Sequence, residues 1–120
     1  MRIKQTLNRF YVHDIDQAIL FYETILNEKC KLRFKYTEVN LELAQVGNIL
    51  LLSGSDEALK PFKDTQATFL VDSVLEFRDF LLNNGATILR GIKEVPTGLN
   101  MTVKHLDGTI VEYVEHKNEA

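Results

Sequence analysis

The chain says nearly the same thing twice, and that internal repeat limits its fold more than any other feature of the sequence. In the first half, Phe10-Tyr11-Val12 reads as a strand, and Asp14 is a helix N-cap with Gln17 as its capping-box partner. Ile15, Ala18, Ile19, Tyr22, Ile25 and Leu26 then follow at helical spacing. After Asn27 the period becomes two, through Leu32, Phe34 and Tyr36 and then Leu41 and Leu43. Gly47-Asn48 marks a hairpin before a strand at Ile49 to Leu52. The second half keeps this order. Ala67 to Val71 is a strand, and Ser73 caps a helix with Glu76, carrying Val74, Phe77, Phe80 and Leu81 as its apolar stripe. Strands follow at Thr87 to Leu89, Leu99 to Val103 and Ile110 to Val114, with Asp107-Gly108 as a tight turn. Gly54 and Pro61 mark 54–64 as a linker between module 1–53 and module 65–117, so the chain reads as α+β, two tandem βαβββ modules.

Composition narrows the function classes. At 120 residues and 13.8 kDa, with 45% hydrophobic and 26% charged residues, the chain has the makeup of one globular domain. A net charge of −3 and a pI near 5.6 give no reason to expect a nucleic-acid partner. The longest apolar runs are too short to span a bilayer, so no membrane partner is expected either. No leader-like apolar stretch opens the sequence and Cys30 is the single cysteine, so a reduced, cytoplasmic protein is expected. No Cys/His cluster has zinc spacing, and no phosphate-binding glycine loop is present.

Strand alternation divides each sheet into two faces. Phe10, Val12, Phe34, Leu41, Leu43, Phe69, Val71, Met101, Val103, Val111 and Tyr113 are expected to pack on the helices. Leu7, Arg9, Tyr11, Arg33, Lys35, Glu42, Leu51, Gln66, Thr68, Asn100, Thr102, Lys104 and Glu112 are expected on the opposite face. Arg9, Arg33, Lys35 and Lys104 against Glu42 and Glu112 make that face locally basic, which suits an anionic ligand. The two Lys also fit edge strands protected against aggregation. His13, His105 and His116 fall outside this face and read as surface histidines.

Tyr11-Val-His-Asp-Ile-Asp-Gln-Ala-Ile-Leu-Phe-Tyr-Glu, Phe69-Leu-Val-Asp-Ser-Val, Asn84-Gly-Ala and Leu106-Asp-Gly-Thr-Ile-Val-Glu-Tyr-Val-Glu resemble the glyoxalase/bleomycin-resistance/dioxygenase group, the vicinal-oxygen-chelate superfamily. The resemblance covers nearly the whole chain. It implies that the two modules form a curved mixed sheet whose concave face is a cup holding a divalent metal in the family's enzymes. Carried onto this chain, the ligand positions are Leu7 and Gln66 on the first strands and Leu51 and Glu112 on the last. Only Glu112 is a usual ligand type, which disfavours a metal or other cofactor.

The resemblance therefore implies a small-molecule-binding protein with a metal-free cup, a homodimer in which Leu7 and Leu51 of one chain face Gln66 and Glu112 of the other. The alternative is a lyase or isomerase of the same superfamily with Glu112 as base, with or without a weakly held metal. A solvated carboxylate without a role accounts for Glu112 as well. Arg9 and Tyr11 flank the position of Leu7 and are the expected ligand contacts. The loop from Glu94 to Asn100, with Pro96 and Gly98, is either a lid over the cup or a plain connection.

Overall fold

The computed structural model describes residues 1–117. The elements run β1 (Ile3–Val12), α1 (Ile15–Leu26), β2 (Cys30–Tyr36), β3 (Leu41–Val46), β4 (Ile49–Ser53), α2 (Asp56–Leu59), β5 (Ala67–Val71), α3 (Val74–Asn83), β6 (Thr87–Val95), β7 (Gly98–Lys104) and β8 (Ile110–His116). Both anticipated caps form: Asp14 accepts from the Gln17 amide at 3.1 Å, and Ser73 from the Glu76 amide at 3.2 Å. No helix among the described residues is long and apolar enough to cross a membrane.

The chain divides into two compact units. The α1 unit is 8–64; the α3 unit is Met1–Leu7 with the chain from Thr65 onward, so β1 contributes to both. Strand order is β2-β3-β4-β1 in the α1 unit and β1-β5-β8-β7-β6 in the α3 unit. Each unit builds a core of its helix on one sheet face. In the α1 unit Ile15 and Ile19 meet Ala44, Val46, Ile49 and Leu51. In the α3 unit Val74 and Phe77 meet Val71, Met101, Val103, Val111 and Tyr113. Each such side chain contributes about 1.5–3 kcal/mol of hydrophobic stabilisation before the entropy of ordering it is set against it.

The faces of the α3 unit are as alternation predicts; those of β2, β3 and β4 are reversed. Strand register places Arg33, Ala44, Leu51 and Phe10 in one cross-strand row, and Ala44 and Leu51 lie in the α1 core. Arg33 confirms the direction, because its Nη2 reaches Asp16 of α1 at 2.8 Å. Lys35 and Glu42 share that side, while Phe34, Leu41 and Leu43 lie on the other, in line with Tyr11. The basic face expected for this module therefore loses Arg33 and Lys35. The physical reason is burial on both sides: Ile49–Ser53 is buried at every residue, so apolar alternation carries no phase.

The linker is not featureless. Ser55 caps α2 by accepting from the Ala58 amide at 3.1 Å, and a 3-10 turn at Lys60–Phe62 follows. The expected loop from Glu94 to Asn100 is a hairpin tip instead. Glu94 pairs with Leu99 and Val95 with Gly98, which leaves Pro96-Thr97 as the turn. Gly98, at φ 151°, takes the tight approach to the Glu115 backbone that a side chain would block.

Candidate functional site

On the sheet face away from α3, register aligns Thr68, Glu112, Thr102 and Arg90 across β5, β8, β7 and β6. These side chains, with Asn100, form one hydrogen-bonded set. Thr68 Oγ1 donates to Glu112 Oε1 at 3.2 Å, and Asn100 Nδ2 to Glu112 Oε2 at 3.2 Å. Arg90 Nη2 donates to Asn100 Oδ1 and, at 3.4 Å, to Thr102 Oγ1. Arg90 Nη1 donates to the carbonyls of Gly91 at 2.9 Å and Asn100 at 3.3 Å. Thr68 and Asn100, the two neutral donors to the carboxylate, are buried, while Glu112, Arg90 and Thr102 are half-buried. A carboxylate fixed between two donors is held in one orientation as an acceptor.

The α1 unit presents a different surface. Arg9, Leu50, Gln45 and Leu32 form the matching row, and Tyr11, Leu52, Leu43 and Phe34 the next. Arg9 is buried; its Nε donates to the Tyr11 hydroxyl at 3.0 Å, and its Cζ stands 5.7 Å from the Tyr11 ring centroid. The Tyr11 hydroxyl donates to the Phe62 carbonyl at 2.6 Å, so the turn after α2 fixes the tyrosine. Gln45 is buried, and its Nε2 donates to the Gly47 carbonyl at 3.0 Å.

The sequence-expected site residues divide accordingly. Arg9 and Tyr11 do come together in the α1 unit. Glu112 stands in the polar set of the α3 unit, and Leu7 is buried on β1. Gln66 is exposed at the start of β5, where its Oε1 accepts from the Ile110 amide at 3.0 Å, a strand-end contact. Leu51 does not face a cup; it is fully buried in the α1 core beside Ala44. The register equivalent of Glu112 is Leu50, because Arg9 pairs with Leu50 as Thr68 pairs with Glu112. Matching Gly47 to Gly108 misplaced it by one residue: Gly47-Asn48 is a two-residue turn, whereas His105 to Thr109 separate Lys104 from Ile110.

At the metal positions that the resemblance implies, with Leu50 in place of Leu51, the donor set is unchanged in kind. Leu7 and Leu50 offer no donor atom, the Gln66 oxygen already accepts from a backbone amide, and Glu112 supplies the one carboxylate. Among the described residues no three His, Cys, Asp or Glu side chains gather as a metal set. These residues do not fit a divalent ion.

Sequence reasoning missed Arg90. Plain alternation puts it beside Ile88 and Ile92, both of which pack against the α3 core. Gly91 inside a strand was the available hint of a bulge.

No protein-family model and no curated protein matches the chain. Among solved structures, an uncharacterized protein from Methanosarcina mazei is 53% identical over 100% of this chain and 98% of its own, with a TM-score of 0.94. The two belong to one family. Methylmalonyl-CoA epimerase from Mycobacterium tuberculosis matches at a TM-score of 0.75 over 95% of this chain and 89% of its own, at 16% identity. A variant of the Streptomyces coelicolor methylmalonyl-CoA epimerase, in complex with 2-nitronate-propionyl-CoA, matches at 0.76 over 97% and 99%, at 15% identity. This is the vicinal-oxygen-chelate fold. At such identities the likeness is one of architecture.

Proposed function

We propose that the protein is a vicinal-oxygen-chelate-superfamily member that binds a small organic molecule through Glu112, with no metal in the site. The observation that carries this reading is the carboxylate held between the Thr68 hydroxyl and the Asn100 amide, where the fold's other ligand positions are leucine or a committed glutamine. An ordered acceptor on a sheet face whose neutral donors are buried selects a ligand that brings its own donor.

A second reading is proton transfer with Glu112 as base, and it is favoured by the shared architecture with the epimerases. The carboxylate would take an acidic proton α to a carbonyl, leaving the enolate, and the carboxylic acid so formed would exchange with solvent before a proton or deuteron returns to that carbon.

One experiment addresses both. Backbone and side-chain amide NMR spectra of the full chain are followed while lactate, glycolate or methylmalonyl-CoA is added, the hydroxy acids bringing a hydroxyl donor, and α-hydrogen exchange into the thioester is followed in D2O. Shifts at Thr68, Asn100 and Glu112 without exchange support binding alone. Exchange lost in Glu112→Gln supports the base. Undisturbed spectra with every probe overturn the Glu112 site. The reading keeps the homodimer that the resemblance implies, which sedimentation tests directly; a monomer removes that part.

A further inference from the structure

We infer that Arg90 is a positioning residue: it sets the orientation of the Asn100 side-chain amide and through it the Glu112 carboxylate. The inference rests on the reading of Glu112 as the ligand-facing group. Ile88 pairs with Val103 and Arg90 with Thr102, so two residues of β6 oppose one of β7, and this bulge turns Arg90 to the face away from α3. A second irregularity separates Arg90 from Lys93, which pairs with Asn100, and Ile92 returns to the α3 core. Irregularities on both sides thus move a charged residue off the helix-packed face and onto the row of Glu112.

The chemistry follows from the donor inventory. A guanidinium only donates, so the Asn100 atom that meets Arg90 Nη2 is the carbonyl oxygen. The amide nitrogen is therefore the atom turned to Glu112, which fixes the one ambiguity an asparagine side chain has. Arg90 also grips the Asn100 and Gly91 carbonyls and the Thr102 hydroxyl, so both its terminal nitrogens are engaged within the protein and it acts through Asn100. Donation runs in one direction, from Arg90 to Asn100 to Glu112, with Thr68 closing from the other side.

The test uses the full chain with Arg90→Met, and with Arg90→Lys as the charge-retaining variant that lacks the planar fork. In the parent protein the two Asn100 side-chain amide protons should be well separated and slow to exchange. In both variants they should converge and exchange roughly tenfold faster, as the loss of a charge-assisted bond implies. The Glu112 carboxyl carbon signal should move with them, while the α3 core methyl signals stay in place. Asn100 and Glu112 signals unmoved in a folded Arg90→Lys protein overturn the inference, and so does full recovery of the parent signature by lysine. A parent protein that ignores every organic probe, yet loses the Asn100 signature in Arg90→Lys, overturns the functional reading and leaves this one standing.

Discussion

Two rows of four residues occupy the same places in the two units: Arg9, Leu50, Gln45 and Leu32 in one, Thr68, Glu112, Thr102 and Arg90 in the other. Even the bulge is shared, since Cys30 and Leu32 flank an irregularity against Val46 and Gln45 just as Ile88 and Arg90 do against Val103 and Thr102. Yet the polar groups are satisfied differently. In the α1 unit Arg9 donates to the Tyr11 hydroxyl, Gln45 and Tyr11 donate to backbone carbonyls, and Leu43, Leu50 and Leu52 are buried around them. In the α3 unit Arg90 also reaches two backbone carbonyls, but its side-chain bonds run on through Asn100 to a carboxylate that Thr68 meets as well. One backbone plan supports either outcome, and the choice lies in a few side chains.

The most damaging way to test the correspondence is at Leu51, the register partner of Phe10 and thus the counterpart of Tyr113. Leu51→Ala should cost about 2–5 kcal/mol in urea unfolding, as for other buried leucines. A loss under about 1 kcal/mol would take Leu51 out of the α1 core and restore it as the equivalent of Glu112.

Next in size is Glu112→Leu, which gives the α3 row the residue that the α1 row already has. It leaves the donors of Thr68 and Asn100 without their acceptor and should cost about 1–3 kcal/mol, measured by the same unfolding. A neutral or stabilising result would mean that the two rows are interchangeable in energy and that the polar set adds no order.

Leu51 cannot titrate, but its counterpart Tyr113 can. Burial pushes the Tyr113 phenol from about 10 up to about 12, and its hydroxyl lies 2.7 Å from His105 Nε2. The folded protein therefore holds this proton more tightly than the unfolded chain does. The associated stability is complete below pH 10 and is lost as pH climbs towards 12. Melting temperature should fall across that window, with amide exchange rising around α3 before α1, and Tyr113→Phe should flatten the fall. Equal loosening of both helices would show that the effect is not local to Tyr113.

Much of this architecture could be read from the residues. Asp14 and Ser73 announce their helices because a cap is a local hydrogen bond, and Phe69, Met101, Val103 and Tyr113 announce their face because polar neighbours alternate with them. The phase of β4 could not be read, since Ile49-Leu50-Leu51-Leu52 is apolar on both sides and each phase buries the same chemistry. Glu112 was legible as a carboxylate on the last strand. Its partners were not, because Asn100 and Thr68 become donors to it only through strand pairing. Arg90 was hidden by a departure from the very alternation used to find everything else.

The smallest effect concerns how that departure is made. Gly91 lies within the second irregularity of β6, between Arg90 and Lys93, and a glycine there invites the view that the irregularity needs its freedom. The geometry argues otherwise: Gly91 is not among the glycines at positive φ, and a Cβ built on it meets nothing within 4 Å. The first irregularity forms with Leu89 between Ile88 and Arg90, as the matching bulge of β2 forms with Lys31 between Cys30 and Leu32, so that one does not require glycine. Gly91→Ala should therefore leave stability within about 0.5 kcal/mol, or raise it slightly by restricting the unfolded chain. Gly47, at φ 56°, should not tolerate the same change, since its conformation alone costs an L-residue about 1–2 kcal/mol. Thermal unfolding of the two variants side by side gives the comparison. If Gly91→Ala proved as costly as Gly47→Ala and scrambled the Asn100 amide signals, the second irregularity of β6 would depend on glycine, and the placement of Arg90 would be a backbone property that the α1 unit lacks.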